Sequence, residues 1–156
     1  MKKVSLSKSD IKEINERIPF AYQLPVKSRV EMVTTEDRNI ILLESKPVLF
    51  EYQNKIFPTL FLLTENNTLL KRITVDKGAI KFVANGADIM RPGVVFFDEN
   101  IKEGDGVAVI EETYGKVLAV GLALFSTEEM RSLDKGKVVL NLHYVGDRIW
   151  NYKEGK

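Results

Sequence analysis

The segment from Asp76 to Val94 places cations next to residues that lack bulk. The cations are Lys77, Lys81 and Arg91. The small or conformationally special residues are Gly86, Ala87, Pro92 and Gly93. Cations attract anionic groups, and small residues allow another chain's backbone to approach closely. The segment therefore predicts a groove lined by glycine with positive charges beside it.

The residue types in the sequence do not indicate a catalytic site. His143 is the only histidine and the chain contains no cysteine, so neither a zinc site nor a disulfide is expected. Ser126, His143 and Asp147 could form a catalytic triad on paper, but no nucleophile elbow accompanies the serine. We find no persuasive acid/base pair. We therefore predict a protein that is not an enzyme and requires no metal or cofactor.

Local patterns indicate which elements position the Asp76–Val94 segment. A strand is predicted to end at Val75, and Asp76 is a good N-cap because its carboxylate can accept unpaired amide hydrogens. Apolar residues then recur at helical spacing up to Asn85-Gly86, which tolerate the positive φ of a helix end. A strand is predicted over 94–97. The segment thus reads as a short helix followed by a loop.

The first half of the chain has the pattern of a small α+β domain. Ser7, with Asp10 three residues later, predicts a helix start, and Pro19 its end. A short helix is predicted from Pro58-Thr59. Strands are predicted over 29–34, 39–43 and 47–52, the last one ended by the polar residues 53–55.

The second half is predicted to be mainly β. A hairpin is expected from strands 106–111 and 116–125, and a last strand from 137–145. Ser126 and Glu129 form a capping-box pattern that predicts a short helix between them and the last strand. Short strands with few helices indicate a small mixed barrel. The aromatic residues expected in its core are Phe82, Phe96 and Trp150.

Composition limits the class of protein. The chain has 156 residues, which suffice for one ordinary domain or two small ones, and its formal net charge is +1. A near-neutral chain does not coat nucleic acid through a broad positive field, so any binding of nucleic acid would use a local groove. No apolar run approaches the ~20 residues that span a bilayer, and no signal-peptide pattern is found. We expect a cytoplasmic protein that does not bind a membrane.

The sequence VDKGAIKFVANGADIMRPGV, residues 75–94, resembles the opening of a PUA domain, the RNA-binding fold named for pseudouridine synthases and archaeosine transglycosylases. Its VDKGAIKF part closely resembles the malignant T-cell amplified sequence family and its archaeal relatives. The resemblance extends in order over most of residues 73–151. It implies an N-terminal α+β pre-PUA domain at 1–72, followed by a mainly β PUA pseudo-barrel with short helices at 73–156.

The resemblance also implies the RNA-binding residues. PUA domains bind RNA beside this helix and the loop after it, which would bring Lys77, Lys81 and Arg91 to phosphates. His143 on the last strand is either a further RNA contact or a structural histidine bonded to the backbone. The remaining expected contacts in the groove are Gly86, Ala87, Pro92, Gly93 and Val94.

In function, the resemblance implies a non-catalytic RNA-binding protein in translation. Its expected partners are tRNA or ribosomal RNA, the small ribosomal subunit and a partner like density-regulated protein. One alternative is the RNA-targeting subunit of an RNA-modification enzyme. Another is a protein-interaction adaptor that has lost RNA binding, which the mildly acidic second half of the chain would suit.

Overall fold

A computed structural model describes residues 2–152 of the chain. These residues form two compact units, one of residues up to Leu69 together with Asn151 and Tyr152, and the other of Leu70–Trp150. Each unit is built on its own sheet. The predicted fold class, an α+β unit followed by a mainly β barrel-like unit with short helices, is confirmed. Within residues 2–152, no helix is both long and apolar enough to cross a membrane.

The first unit contains two helices, α1 (Lys8–Arg17) and α2 (Leu60–Glu65). The predicted capping box of α1 is present: Ser7 Oγ accepts the Asp10 N–H at 3.0 Å, and Asp10 Oδ2 accepts the Ser7 N–H at 2.9 Å. Five antiparallel strands pair in chain order, namely β1 (Lys2–Ser5), β2 (Val30–Thr34), β3 (Asn39–Leu43), β4 (Lys46–Tyr52) and β5 (Lys55–Pro58).

Two of these strands, β1 and β5, were not predicted. The sequence pattern predicted that β4 is followed by a polar connection at 53–55. The chain instead turns at Gln53 and Asn54 and returns directly as β5, which pairs with β4. Both turn residues have positive φ, 47° and 64°, which is the conformation of a tight hairpin turn. Pro58 accordingly ends a strand, and Thr59 is the N-cap of α2.

The second unit contains a six-stranded, nearly closed barrel-like sheet in the order β7-β11-β10-β9-β6-β8. All neighbours are antiparallel except β6 and β9, which are parallel. The strands are β6 (Lys71–Val75), β7 (Ile89–Met90), β8 (Val94–Phe97), β9 (Gly106–Glu111), β10 (Val117–Ala123) and β11 (Lys137–Tyr144). The pairing of β7 with β11 holds the loop after the predicted helix against the last strand.

The helices of this unit are short. A 3-10 turn at Lys77–Ala79 leads into α3 (Ile80–Val83), a second 3-10 turn covers Arg91–Gly93, and α4 spans Thr127–Ser132. The capping box predicted at Ser126 is present. The core fills the sheet interior with aliphatic side chains such as Val75, Val83, Ile89, Val109 and Val139. Buried residues at the end of β6, in α3 and in β7 thus anchor the predicted groove segment.

Candidate nucleic-acid interface

A groove with a volume of about 620 Å³ lies in the second unit beside α3. On the helix side it is lined by Asp76, Gly78, Ala79, Phe82 and Val83. On the loop side it is lined by Ala87, Asp88, Ile89, Met90, Pro92 and Gly93, and β11 adds Lys137. The groove therefore occupies the place that the sequence indicated, between the short helix, the loop after it and the last strand.

Asp76 joins the helix start to the far end of the loop. Its Oδ1 accepts the N–H of Ala79 at 2.9 Å, as an N-cap does, and its own N–H donates to the carbonyl of Gly93 at 2.8 Å. A Cβ atom on Gly93 would lie 3.2 Å from Cβ of Ala79. The lack of a side chain at position 93 thus lets the loop lie directly against the helix and form the groove floor.

The loop is fixed to β11 by polar contacts. The N–H of Asn141 donates to Asp88 Oδ1 at 2.8 Å, and the Asn141 side-chain amide donates to the carbonyls of Val83 and Ala87 at 3.1 and 3.0 Å. Lys137 Nζ lies 2.8 Å from Asp88 Oδ2. These bonds hold the two walls of the groove in place.

The two predicted lysines flank the groove. Lys77 lies between Asp76 and Gly78, which line it, and Lys81 precedes Phe82, which also lines it. Both lysines are exposed, and among residues 2–152 neither forms an ion pair. Lys81 Nζ lies 5.5 Å from the ring centroid of Phe82. Their charges are therefore available to an anion at the edge of the groove.

Of the predicted loop residues, Ala87, Pro92 and Gly93 line the groove, whereas Gly86 does not. Gly86 has a φ of 93°, and a Cβ atom there would lie 2.8 Å from Cε1 of Tyr144. The missing side chain accommodates the protein's own aromatic ring. The structure thus shows an internal packing reason for this glycine.

Arg91 and Val94 also lie outside the groove lining. The Arg91 guanidinium donates to the carbonyl of Met130 at 2.7 Å and to that of Val94 at 3.2 Å, and it lies 5.1 Å from the ring centroid of Phe97. Val94 belongs to the core. Arg91 therefore connects the loop to the end of α4, and its Nε and Nη1 donate to the protein's own carbonyls.

His143 is completely buried, and its Nδ1 lies 2.9 Å from Oδ2 of Asp147. The same carboxylate accepts the N–H groups of Tyr144 and Trp150, each at 2.9 Å. Burial raises the pKa of Asp147, but the hydrogen bond and charge of His143 and the two backbone N–H bonds outweigh it and lower the pKa below its usual value. The geometry matches the structural interpretation of His143, whose Nδ1 has the Asp147 carboxylate as its partner.

The prediction that Phe82 and Phe96 belong to the core is wrong. Phe82 is 58% exposed and Phe96 is 56% exposed. Ala79, Val83 and the residues that pack with them define the inward face of the helix, so Phe82 lies off that face and borders the groove. Met90, which is 49% exposed, borders the same groove from the loop. A flat, apolar ligand surface could contact both side chains.

Sequence reasoning did not name Asp88, Lys137 or Asn141 as part of the site. Their contacts join residues about 50 positions apart, because β11 pairs with β7 across the sheet. No local spacing signals such a pairing. The exposed position of Phe82, by contrast, could have been inferred from its offset relative to the apolar helix stripe.

The groove lining carries two carboxylates and one cation. Lys137, the cation, is already paired with Asp88. Asp76 Oδ2 has no hydrogen-bond or ionic partner in the described part of the chain. Over the same residues, no cluster of three or more histidine, aspartate or glutamate side chains could hold a metal ion. The groove interior is therefore mildly acidic and mostly apolar, while the free cations stand outside it.

Comparison with known proteins identifies both units. The chain matches the PUA domain family over residues 71–145, and the family described as Domain of unknown function (DUF1947) over residues 2–66. A crystal structure of a hypothetical protein from the hyperthermophilic archaeon Pyrococcus horikoshii OT3 superposes with a TM-score of 0.81 at 37% identity, covering 96% of this chain and 98% of that one.

Three relatives match both units. An uncharacterized protein of Methanocaldococcus jannaschii is 45% identical over 97% of both chains. Translation machinery-associated protein 20 of Saccharomyces cerevisiae is 30% identical over 83% of this chain and 75% of the yeast protein. Malignant T-cell-amplified sequence 2 of Homo sapiens is 36% identical over 85% of this chain and 76% of the human protein.

Proposed function

This chain belongs to the PUA-domain family that includes Translation machinery-associated protein 20 and the malignant T-cell-amplified sequence proteins, and on that premise we propose that it is a non-catalytic RNA-binding protein of translation. The observation that carries the proposal is the groove beside α3, which is flanked by two exposed lysines without ion pairs among the described residues. RNA-binding proteins combine such charges with a surface that receives unpaired bases.

Charge placement supports an unpaired strand as the ligand. Lys77 and Lys81 stand at the groove edge, while the lining contains Asp76, Asp88 and a Lys137 that is already neutralised by Asp88. A phosphate inside the groove would meet carboxylates, whereas a phosphate at its edge would meet lysines. The bases of an unpaired strand can enter the groove with the backbone outside, which a paired helix cannot do.

We assign this role to a domain spanning 73–156, with an RNA-binding site at Lys77, Lys81, Ala87, Pro92 and Gly93. The RNA would be the unpaired end of a tRNA or a segment of ribosomal RNA on the small ribosomal subunit. Residues 1–72 would dock on the ribosome or on a partner like density-regulated protein. The name of the yeast relative supports work with the translation machinery, which would place the protein in the cytoplasm.

Equilibrium binding to tRNA tests the proposal. Labelled tRNA with its unpaired 3′ end should bind more tightly than the same tRNA with that end removed, because only the first offers single-stranded bases to the groove. Equal and negligible binding of both would overturn the proposal.

A pair of lysine variants tests the charge assignment. K77Q/K81Q should reduce the slope of log affinity against log salt by about 1.4, since each contact with a single-stranded phosphate contributes about 0.7. The matched control is K102Q/K116Q, which removes two exposed lysines that do not line the groove. The control should keep the wild-type slope, and an equal loss in both variants would refute the placement of the phosphates.

A further inference from the structure

From the outer face of strands β6 and β8 we infer a second RNA contact outside the groove, at which Phe96 stacks on an unpaired base and Arg72 binds a phosphate. Together with Thr74 and Val95, these residues form a site that we call the β6–β8 platform. The inference rests on the proposed function, because it assumes that the groove beside α3 holds unpaired RNA. It adds a site that shares no residue with the groove lining.

A β-bulge exposes two apolar side chains of β8, which lies at one end of the sheet next to β6. Phe96 is opposite Thr74 on β6. Val94 is opposite Val75, so Val95 is an extra residue in β8. Val94 is buried, whereas Val95 is 51% exposed and Phe96 is 56% exposed. A regular strand alternates between its two faces, so the bulge is the reason that two consecutive apolar side chains are exposed.

The neighbours of Phe96 on β6 are polar. Thr74, which is opposite Phe96, and Arg72 lie on the same face, because side chains alternate along a strand. Ile73 between them is buried in the core. The Arg72 side chain is 55% exposed, and its Nε lies 3.8 Å from Asp98 Oδ2, an oxygen that already accepts the Arg72 N–H at 2.8 Å. A guanidinium in such a long ion pair can still bind a phosphate.

This set of side chains fits a nucleotide better than a protein surface. The centre of a protein interface is apolar over several residues. Here the exposed Phe96 and Val95 are bordered on β6 by a hydroxyl and a guanidinium. Aromatic rings exposed on a sheet stack bases in RNA-binding folds, and cations beside them follow the RNA backbone. We therefore assign the platform to unpaired RNA.

The platform continues from the groove. Asp76 and Gly93 both line the groove. Thr74 is two residues before Asp76, and Phe96 is three residues after Gly93. At the rise of a strand, Phe96 lies roughly 10 Å along the chain direction from the groove. An RNA strand that leaves the groove past Lys77, the exposed cation next to Asp76, can therefore reach Phe96.

Single-stranded octauridine and two derivatives of it test the platform. In each derivative the four nucleotides at one end, 5′ or 3′, are abasic, which keeps the phosphates and removes the bases. Whichever four bases occupy the groove, only octauridine has bases left for Phe96. We expect wild-type protein to bind octauridine more tightly than either derivative. The ratio of its affinity to that of the derivative that binds more tightly should fall at least about fivefold in F96A, the effect of one stacked base.

Two more variants of this position separate stacking from apolar contact. F96Y keeps an aromatic face and should keep the wild-type ratio. F96L keeps apolar bulk without a ring and should lose the ratio as F96A does. Because each ratio is measured on one protein preparation, partial misfolding does not change it.

The phosphate contact has its own measurement. R72Q should reduce the slope of log affinity for octauridine against log salt by about 0.7, the contribution of one single-stranded phosphate. The matched control is K102Q, which removes an exposed cation that belongs to neither the platform nor the groove lining, and it should keep the wild-type slope. A wild-type slope in R72Q would overturn the role of Arg72.

The outcomes separate this inference from the proposed function. A wild-type ratio that persists in F96A and F96L would overturn the platform and leave RNA binding in the groove intact. Sedimentation velocity detects a different occupant: self-association that F96A abolishes, together with an unchanged ratio, would assign this face to a second copy of the chain and overturn the RNA contact. If none of the three oligonucleotides binds, both the inference and the proposed function are wrong.

Discussion

Substitution of Gly86 by alanine tests how the groove loop is held against the last strand. Gly86 has a φ of 93°, and a Cβ atom there would lie 2.8 Å from Cε1 and 2.9 Å from Cζ of Tyr144. The left-handed backbone costs an L-residue about 1–2 kcal/mol. Crowding of a packed side chain adds about 1–3 kcal/mol. We therefore expect G86A to lower the free energy of unfolding by about 2–5 kcal/mol.

Gly136 provides the matched control. Its φ is 94°, but no atom lies within 4 Å of the position that a Cβ would occupy. G136A should therefore cost only the backbone part, about 1–2 kcal/mol. The difference between the two variants isolates the contact with Tyr144.

Urea unfolding followed by tryptophan fluorescence measures both variants. Trp150 is the only tryptophan and belongs to the same unit as Gly86 and Gly136, so its emission reports on that unit. In a Y144A background, the cost of G86A should approach that of G136A, because the crowded ring is gone. Equal costs of G86A and G136A in the wild-type background, or an unchanged cost of G86A without the ring, would refute the packing argument.

Three further predictions concern other parts of the molecule. D147N should make the stability of the protein less sensitive to acid, because the pKa of Asp147 is lowered in the folded state. The stabilisation from this carboxylate is complete above its unfolded-state pKa of about 3.9 and is lost as the pH falls through the folded-state pKa. Urea midpoints between about pH 2 and pH 6 measure this, and identical pH profiles of wild type and D147N would contradict it. F82A should weaken the binding of tRNA with its unpaired 3′ end by about tenfold, because one stacked base is lost. The free energy of unfolding should change little because the ring is exposed. Unchanged RNA affinity of F82A would exclude stacking on Phe82. T59V should destabilise the first unit by about 1–3 kcal/mol, because buried Thr59 Oγ1 donates to the Pro47 carbonyl at 2.9 Å and accepts the N–H of Leu62. Circular dichroism during urea unfolding measures this loss of stability. A urea midpoint equal to that of the wild type would contradict the contribution of these hydrogen bonds.

Local sequence patterns predicted the helix starts well, because capping depends on residues three apart. Ser7 and Ser126 both form the expected capping boxes, and Asp76 caps the turn before α3. The helical spacing of apolar residues before Asn85-Gly86 also predicted a buried helix face, and Val83 of α3 is buried in the core. The position of the groove followed from these elements together with the small residues of the loop.

The site contacts that the sequence did not predict are formed between residues far apart in the chain. β7 has only two residues, too few for a periodicity signal, yet its pairing with β11 brings Lys137 to Asp88. The role of Arg91 was likewise decided by α4, whose Met130 carbonyl accepts its donor. Charge type alone could not reveal that this guanidinium is used internally.

An NMR titration tests the central claim most directly. Amide resonances of ¹⁵N-labelled protein would be followed while a hairpin with a single-stranded 3′ extension is added. The claim predicts amide shifts concentrated at residues 76–93 and 137–141, including those of Lys77 and Lys81, and no comparable shifts when the extension is absent. Shifts confined to residues outside the groove, or the same shifts with and without the extension, would contradict it.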